Sequence, residues 1–64
     1  MTEDELILSL CKEKDLGKGK SDDERIRQFK EAYKDQADLL AHAAIGDAKA
    51  LRQLRWILGL KVIT

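Results

Sequence analysis

Few residues of this chain have reactive side chains, and their spacing limits what they can do. There is one histidine, His42, and one cysteine, Cys11. A structural zinc site takes four Cys or His ligands, so this pair cannot build one. No spacing argues for a nucleophile or a second base beside His42, which sits between alanines. It reads as a surface or turn-capping residue. Cys11 follows Leu6, Ile7 and Leu10 on one helical face and reads as a small core hydrophobe; a reactive thiol would need a depressed pKa. The acidic runs "EDE" and "DDE" stand at helix starts, where carboxylates suit the positive end of the helix dipole. They are not taken as metal ligands. "GKGK" lacks both a preceding strand and the GxxxxGK[ST] spacing of a phosphate loop, and reads as a solvated turn. No catalytic residue, cofactor, metal or small-molecule substrate is expected, and the chain is read as no enzyme.

Binding chemistry is different. Trp56, the sole tryptophan, lies in "LRQLRWILGLKVIT". At 100° per residue, Ala50, Leu51, Leu54, Ile57 and Leu58 share one sector. Lys49, Arg52, Gln53, Arg55 and Trp56 fill the other. Tryptophan among arginines is the residue mix of interface hot spots, and a guanidinium can lie over its ring. Leu60, Val62 and Ile63 follow as an apolar tail. Either the tail folds back over the indole or both face a partner. The expected partner-binding set is Lys49, Arg52, Arg55, Trp56, Leu60, Val62 and Ile63.

These residues need elements to position them. "TEDE" is a capping box, Thr2 with Glu5, and opens a helix over 3–15. "DLGKGK" breaks it, with Gly17 as the expected left-handed cap and 15–21 as a flexible loop. "SDDE" is a second capping box, Ser21 with Glu24. From it, Ile26, Phe29, Tyr33, Ala37, Leu40 and Ala44 recur at steps of three and four, widened by Ala32, Leu39 and Ala43. They predict one continuous helix over 22–45, about 36 Å long. Gly46 and Asp47 then read as the cap of that helix and the N-cap of a third, over 48–58. Gly59 ends it. The expected fold is all-α: a single three-helix domain spanning 1–64 with an apolar, extended arm at 59–64.

Composition agrees with this class. The chain has 64 residues, no proline, 38% charged and 44% hydrophobic residues. Domains this small are marginal alone, and with no disulfide or metal available, oligomerisation is one remedy. The net charge is zero, which counts against a free-standing nucleic-acid binder. The distribution is polar all the same. Residues 1–24 hold eight acids and four bases, while residues 25–64 hold eight bases and four acids. The halves attract each other within one fold or head to tail between copies. Neither a signal peptide nor a membrane span is visible, and a lone buried cysteine fits a reducing compartment. The expectation is a cytoplasmic accessory protein of a bacterium or its virus. It would act as a protein–protein interaction module through the third helix and the arm, with another protein or itself as partner. The rival expectation is a small dimeric DNA-binding regulator that presents the third helix to a major groove. Arg52, Gln53 and Arg55 suit base edges.

Overall fold

A computed structural model describes residues 1–62. Among them four α-helices form: α1 (Glu3–Lys14), α2 (Asp22–Ala32), α3 (Ala37–Ala44) and α4 (Ala48–Ile57). A 3-10 turn, Lys34–Gln36, joins α2 to α3. No strand occurs among the described residues. The all-α class holds, but the expected count of three helices is corrected to four.

The correction falls on the helix expected over 22–45. It breaks at Tyr33, whose backbone takes φ −120° and ψ 35°. No glycine or proline stands there. The reason is one of length. A straight helix over 22–45 would run about 36 Å, whereas the longest dimension of the molecule is 32 Å. A rod of that length would carry one end of its apolar stripe past the rest of the core. Breaking it lets Phe29 of α2 pack on α1, and Leu40, Ala43 and Ala44 of α3 pack on α1 and α4. Little is lost locally, because Glu31 and Asp35 would repel across one helical turn. The Phe29 and Tyr33 rings pack at the break, 4.9 Å apart and tilted by 43°. Ala32 and Ala37, expected on the buried stripe, are turned to solvent by the break.

The expected capping side chains stand at the starts of α1 and α2. Around α1 the box is reciprocal: the Thr2 hydroxyl accepts from the Glu5 N–H (3.1 Å), and the Glu5 carboxylate accepts from the Thr2 N–H (3.3 Å). Ser21 accepts from the Glu24 N–H (3.3 Å). The expected return bond from Glu24 is replaced by an ion pair with Lys20 at 3.7 Å. Gly17 is left-handed as expected (φ 67°), but the cap of α1 is Asp15, two residues earlier and also left-handed (φ 58°). That lets the Leu16 N–H reach back to the Cys11 carbonyl (2.9 Å), and Leu16 lies against the core. Residues 15–21 form the connection to α2, held by Arg25, whose Nε donates to the Gly17 carbonyl at 3.0 Å.

Leu6, Ile7, Leu10 and Cys11 of α1 form the centre of the core, with Phe29, Leu40, Ala43, Ala44, Ala50, Leu54 and Leu58 around them. Each large apolar side chain fully buried here contributes about 1.5–3 kcal/mol relative to exposure. Alanines 43, 44 and 50 are small enough for α3 and α4 to approach closely, and these two helices share the most extensive contact in the fold.

Candidate functional site

α4 positions the candidate site, and both its ends are tightly defined. At its start, Asp47 Oδ1 accepts from the Lys49 N–H (3.0 Å) and the Ala50 N–H (3.2 Å). The preceding corner is closed by two reverse bonds, Asp47 N–H to the His42 carbonyl (3.0 Å) and Gly46 N–H to the Ala43 carbonyl (3.2 Å). This is the Schellman arrangement, and it needs a left-handed residue, supplied by Gly46 at φ 104°. The same arrangement ends α4, with Leu58 as its cap rather than its last residue: Leu60 N–H donates to the Arg55 carbonyl (2.9 Å) and Gly59 N–H to the Trp56 carbonyl (3.0 Å). The chain thereby reverses and brings Lys61 and Val62 back beside α4.

The expected site residues are then sorted onto different surfaces. Trp56 is 74% exposed. It lines a shallow groove of about 440 Å³ with Lys49, Arg52, Gln53 and Val62. Neither Lys49 nor Arg52 has an ion-pair partner among the described residues. Val62 is half-buried beside the tryptophan without covering it. Leu60 turns inward and lies against the core of its own subunit. Ile63 lies outside the described residues.

Arg55 leaves the group. Its guanidinium makes a bidentate pair with the Glu13 carboxylate, Nη2 to Oε1 at 3.2 Å. It also donates to the Lys61 carbonyl from Nε (3.1 Å) and Nη2 (2.8 Å). The Arg55 hydrogen bonds hold the Glu13 carboxyl below the usual carboxylate range, and Glu13 in turn raises the guanidinium. One turn away, Lys14 donates its ammonium to the Leu58 carbonyl, an acceptor left open at the end of α4. This junction fastens α1, α4 and the tail together. The sequence reading assigned Arg55 to the partner face because the helical wheel shows only which side of α4 it leaves. Its acidic neighbour comes from a residue 42 positions earlier.

A second surface was missed. Met1 (72% exposed) and Ile45 (82% exposed) stand at the lip of an apolar groove of about 580 Å³ between α1 and the α3–α4 corner. Leu10 and Leu51 lie in the groove's floor and wall. The only sequence signal for it was an isoleucine immediately before the corner glycine, which periodicity counts as the helix end and not as surface.

The two remaining reactive side chains lie apart from the residues lining these surfaces, one buried and one exposed. Cys11 is buried, and burial pushes its thiol up from the ordinary value despite the nearby Arg25 charge. His42 is exposed, with its carbonyl engaged in the α3–α4 corner. Among the described residues no group of three or more His, Cys, Asp or Glu side chains is placed to hold a metal ion, and no helix is long and apolar enough to cross a membrane. Compared with family models, with curated proteins and with solved structures, the chain matches none.

Proposed function

We propose that this protein is a non-enzymatic interaction module whose contact face is the outer side of α4, centred on Trp56. The observation carrying this reading is the 74% exposure of a tryptophan, where the described residues otherwise expose only Met1 and Ile45 as large apolar side chains. An exposed indole flanked by Lys49 and Arg52 gives up favourable burial unless something covers it. Tryptophan and arginine together supply the area and the planar charge that hot spots use. Gln53 and Val62 complete a rim that is half polar and half aliphatic. Arg55 and Leu60 support this face from behind, the first by holding Lys61 and the second by anchoring the tail in the core.

The experiment places a photo-crosslinking aromatic residue at position 56 and, as a control, at the exposed Gln28. A protein adduct at 56 that is absent at 28 and weakened by Lys49→Ala with Arg52→Ala supports the reading. Adducts at both positions alike, or to nucleic acid alone, overturn it.

A DNA-binding regulator is the second reading. It is favoured by the three-residue corner Ile45–Gly46–Asp47, which joins α3 to α4 as in helix-turn-helix units, and by Arg52 and Gln53 on the outer face. Engagement of Arg55 by Glu13 leaves Lys49 and Arg52 as the cations of that face without an ion-pair partner among the described residues, few for phosphate neutralisation. Duplex binding through them would weaken steeply as salt rises, whereas an indole-centred protein contact is far less sensitive.

A further inference from the structure

Beyond Gly59 the tail has few holds. The Leu60 N–H donates to the Arg55 carbonyl (2.9 Å), and the Leu60 side chain lies against the core. For Lys61 and Val62, the hydrogen bonds found among the described residues are the two that Arg55 donates to the Lys61 carbonyl. Val62 in turn lines the Trp56 groove. One guanidinium therefore fixes where the tail edge of that groove lies.

That guanidinium is itself oriented. It is planar, with its donors in a fixed fork. The edge formed by Nε and Nη2 meets the Lys61 carbonyl, and the edge formed by Nη1 and Nη2 meets both oxygens of Glu13. Glu13 belongs to α1 and does not line the Trp56 groove, yet it orients the plane that holds the tail. A second shallow groove, of about 510 Å³, brings Glu13 and Arg55 together with Arg52. Arg52 stands one turn before Arg55 on α4 and lines both grooves. It has no ion-pair partner among the described residues. Residues three apart on a helix are neighbours, about 5–6 Å between Cβ atoms. The two arginines therefore compete for one carboxylate.

We infer that Glu13, Arg52 and Arg55 form a two-position latch on the C-terminal tail. With Glu13 on Arg55, as in the structure, the guanidinium holds Lys61, Val62 edges the Trp56 groove, and Arg52 is left to that groove. With Glu13 on Arg52, Arg55 loses its orienting partner, the Lys61 carbonyl is released, and Arg52 is drawn away from Trp56. A partner that engages Arg52 at the Trp56 face removes the competitor and closes the latch. By linkage, a closed latch favours that partner. This regulation rests on the reading of the Trp56 face as a contact, whereas the latch itself is a property of the free chain.

The test is solution NMR of the full chain without any partner. Its readouts are exchange of the Leu60 amide and the shifts of the Val62 methyls, which the neighbouring Trp56 ring sets. Glu13→Gln should speed Leu60 exchange about three- to tenfold and move the Val62 methyls towards random-coil positions. Arg52→Gln should act in the opposite direction, slowing Leu60 exchange about twofold or more. In the Glu13→Gln background, Arg52→Gln should change exchange no further. Arg55→Lys keeps the charge but cannot grip carboxylate and carbonyl in one plane, and should loosen the tail as Glu13→Gln does. Asp4→Asn removes another acid of α1, the partner of Lys30 at 3.4 Å, and should leave both readouts native. Helicity by circular dichroism should stay native throughout. Leu60 exchange unchanged by Glu13→Gln, or moved in the same direction by Glu13→Gln and Arg52→Gln, overturns the latch, as does an Asp4→Asn effect equal to that of Glu13→Gln. Loss of the protein crosslink at position 56 would instead overturn the contact reading and leave these free-chain results standing.

Discussion

Arg55 and Trp56 are neighbours in the chain and opposites in the fold. Arg55 points towards α1, where it binds Glu13 and the Lys61 carbonyl and is half-buried. Trp56 points away from every other helix and is mostly exposed. A rotation of 100° between successive residues is all that separates them. The side facing α1 is crowded with specific bonds: the Glu13–Arg55 pair, the Lys14 contact with Leu58, and the reverse turn at Gly59. On the outer side no ion pair or hydrogen bond engages the side chains of Lys49, Arg52 or Trp56 among the described residues. One side of α4 is used to build the domain, and the other remains available for a partner.

Substitutions on the two sides should therefore separate stability from association. Leu54, fully buried on the inner side, should show the largest effect. Leu54→Ala is expected to cost about 2–5 kcal/mol of unfolding free energy in urea titration, enough to unfold much of so small a domain. A loss under about 1 kcal/mol would mean that α4 is not locked onto the core.

Next comes Gly59, at φ 76°. Gly59→Ala places a side chain in the left-handed region at a cost of about 1–2 kcal/mol. The added Cβ itself meets only Lys14 Nζ, at an ordinary 3.7 Å, so the strain is in the backbone. The same variant should shift Leu60 and Val62 and alter the fluorescence of Trp56. An unchanged emission spectrum would show that the tail does not depend on this turn.

A smaller effect concerns pH. The Glu13 carboxyl is held below its ordinary range in the folded chain by Arg55. Its contribution is therefore complete above the ordinary carboxylate range, where the unfolded chain is also ionised. It is lost as pH falls through the lowered folded value. Both groups are near the surface, so the contribution is modest and screened by salt. Glu13→Gln should flatten the acid limb of a thermal-melt profile and leave the neutral limb nearly unchanged. An acid limb as steep as the native one would assign the acid sensitivity elsewhere, with Glu5 the first alternative, since Thr2 lowers its carboxyl too.

The smallest expected effect on stability belongs to the outer face. Trp56→Ala should change unfolding free energy by no more than about 0.5 kcal/mol while weakening association. A substantial loss of stability would mean that the indole is covered within its own subunit, and the contrast between the two sides of α4 would collapse.

How far the chain could be read in advance follows from the range of the interactions involved. Thr2, Ser21 and Asp47 were legible as caps because each bonds to a backbone group two or three residues ahead. Gly46 and Gly59 were legible as stops because only a left-handed residue closes the turns they occupy. The outward position of Trp56 followed from a single wheel. Gly17 is left-handed as glycine predicts, but the cap itself falls at Asp15, which has no such signal because a non-glycine residue rarely takes that conformation. The break at Tyr33 had only the weak Glu31–Asp35 repulsion as a local signal, with no glycine or proline, and Arg55 looked like any other exposed base.

Helix class, helix starts, the α3–α4 corner and the face that carries Trp56 are properties of residues within one or two turns of each other, where backbone hydrogen bonding and side-chain period act without help from the rest of the chain. The bend between α2 and α3, the capture of Arg55 by Glu13, the burial of Leu60 and the cleft between Met1 and Ile45 depend on distances between segments far apart in sequence. They were decided only when 64 residues had to close around one small core, because a helix longer than that core must break and a charge gains a partner only where the fold brings one to it.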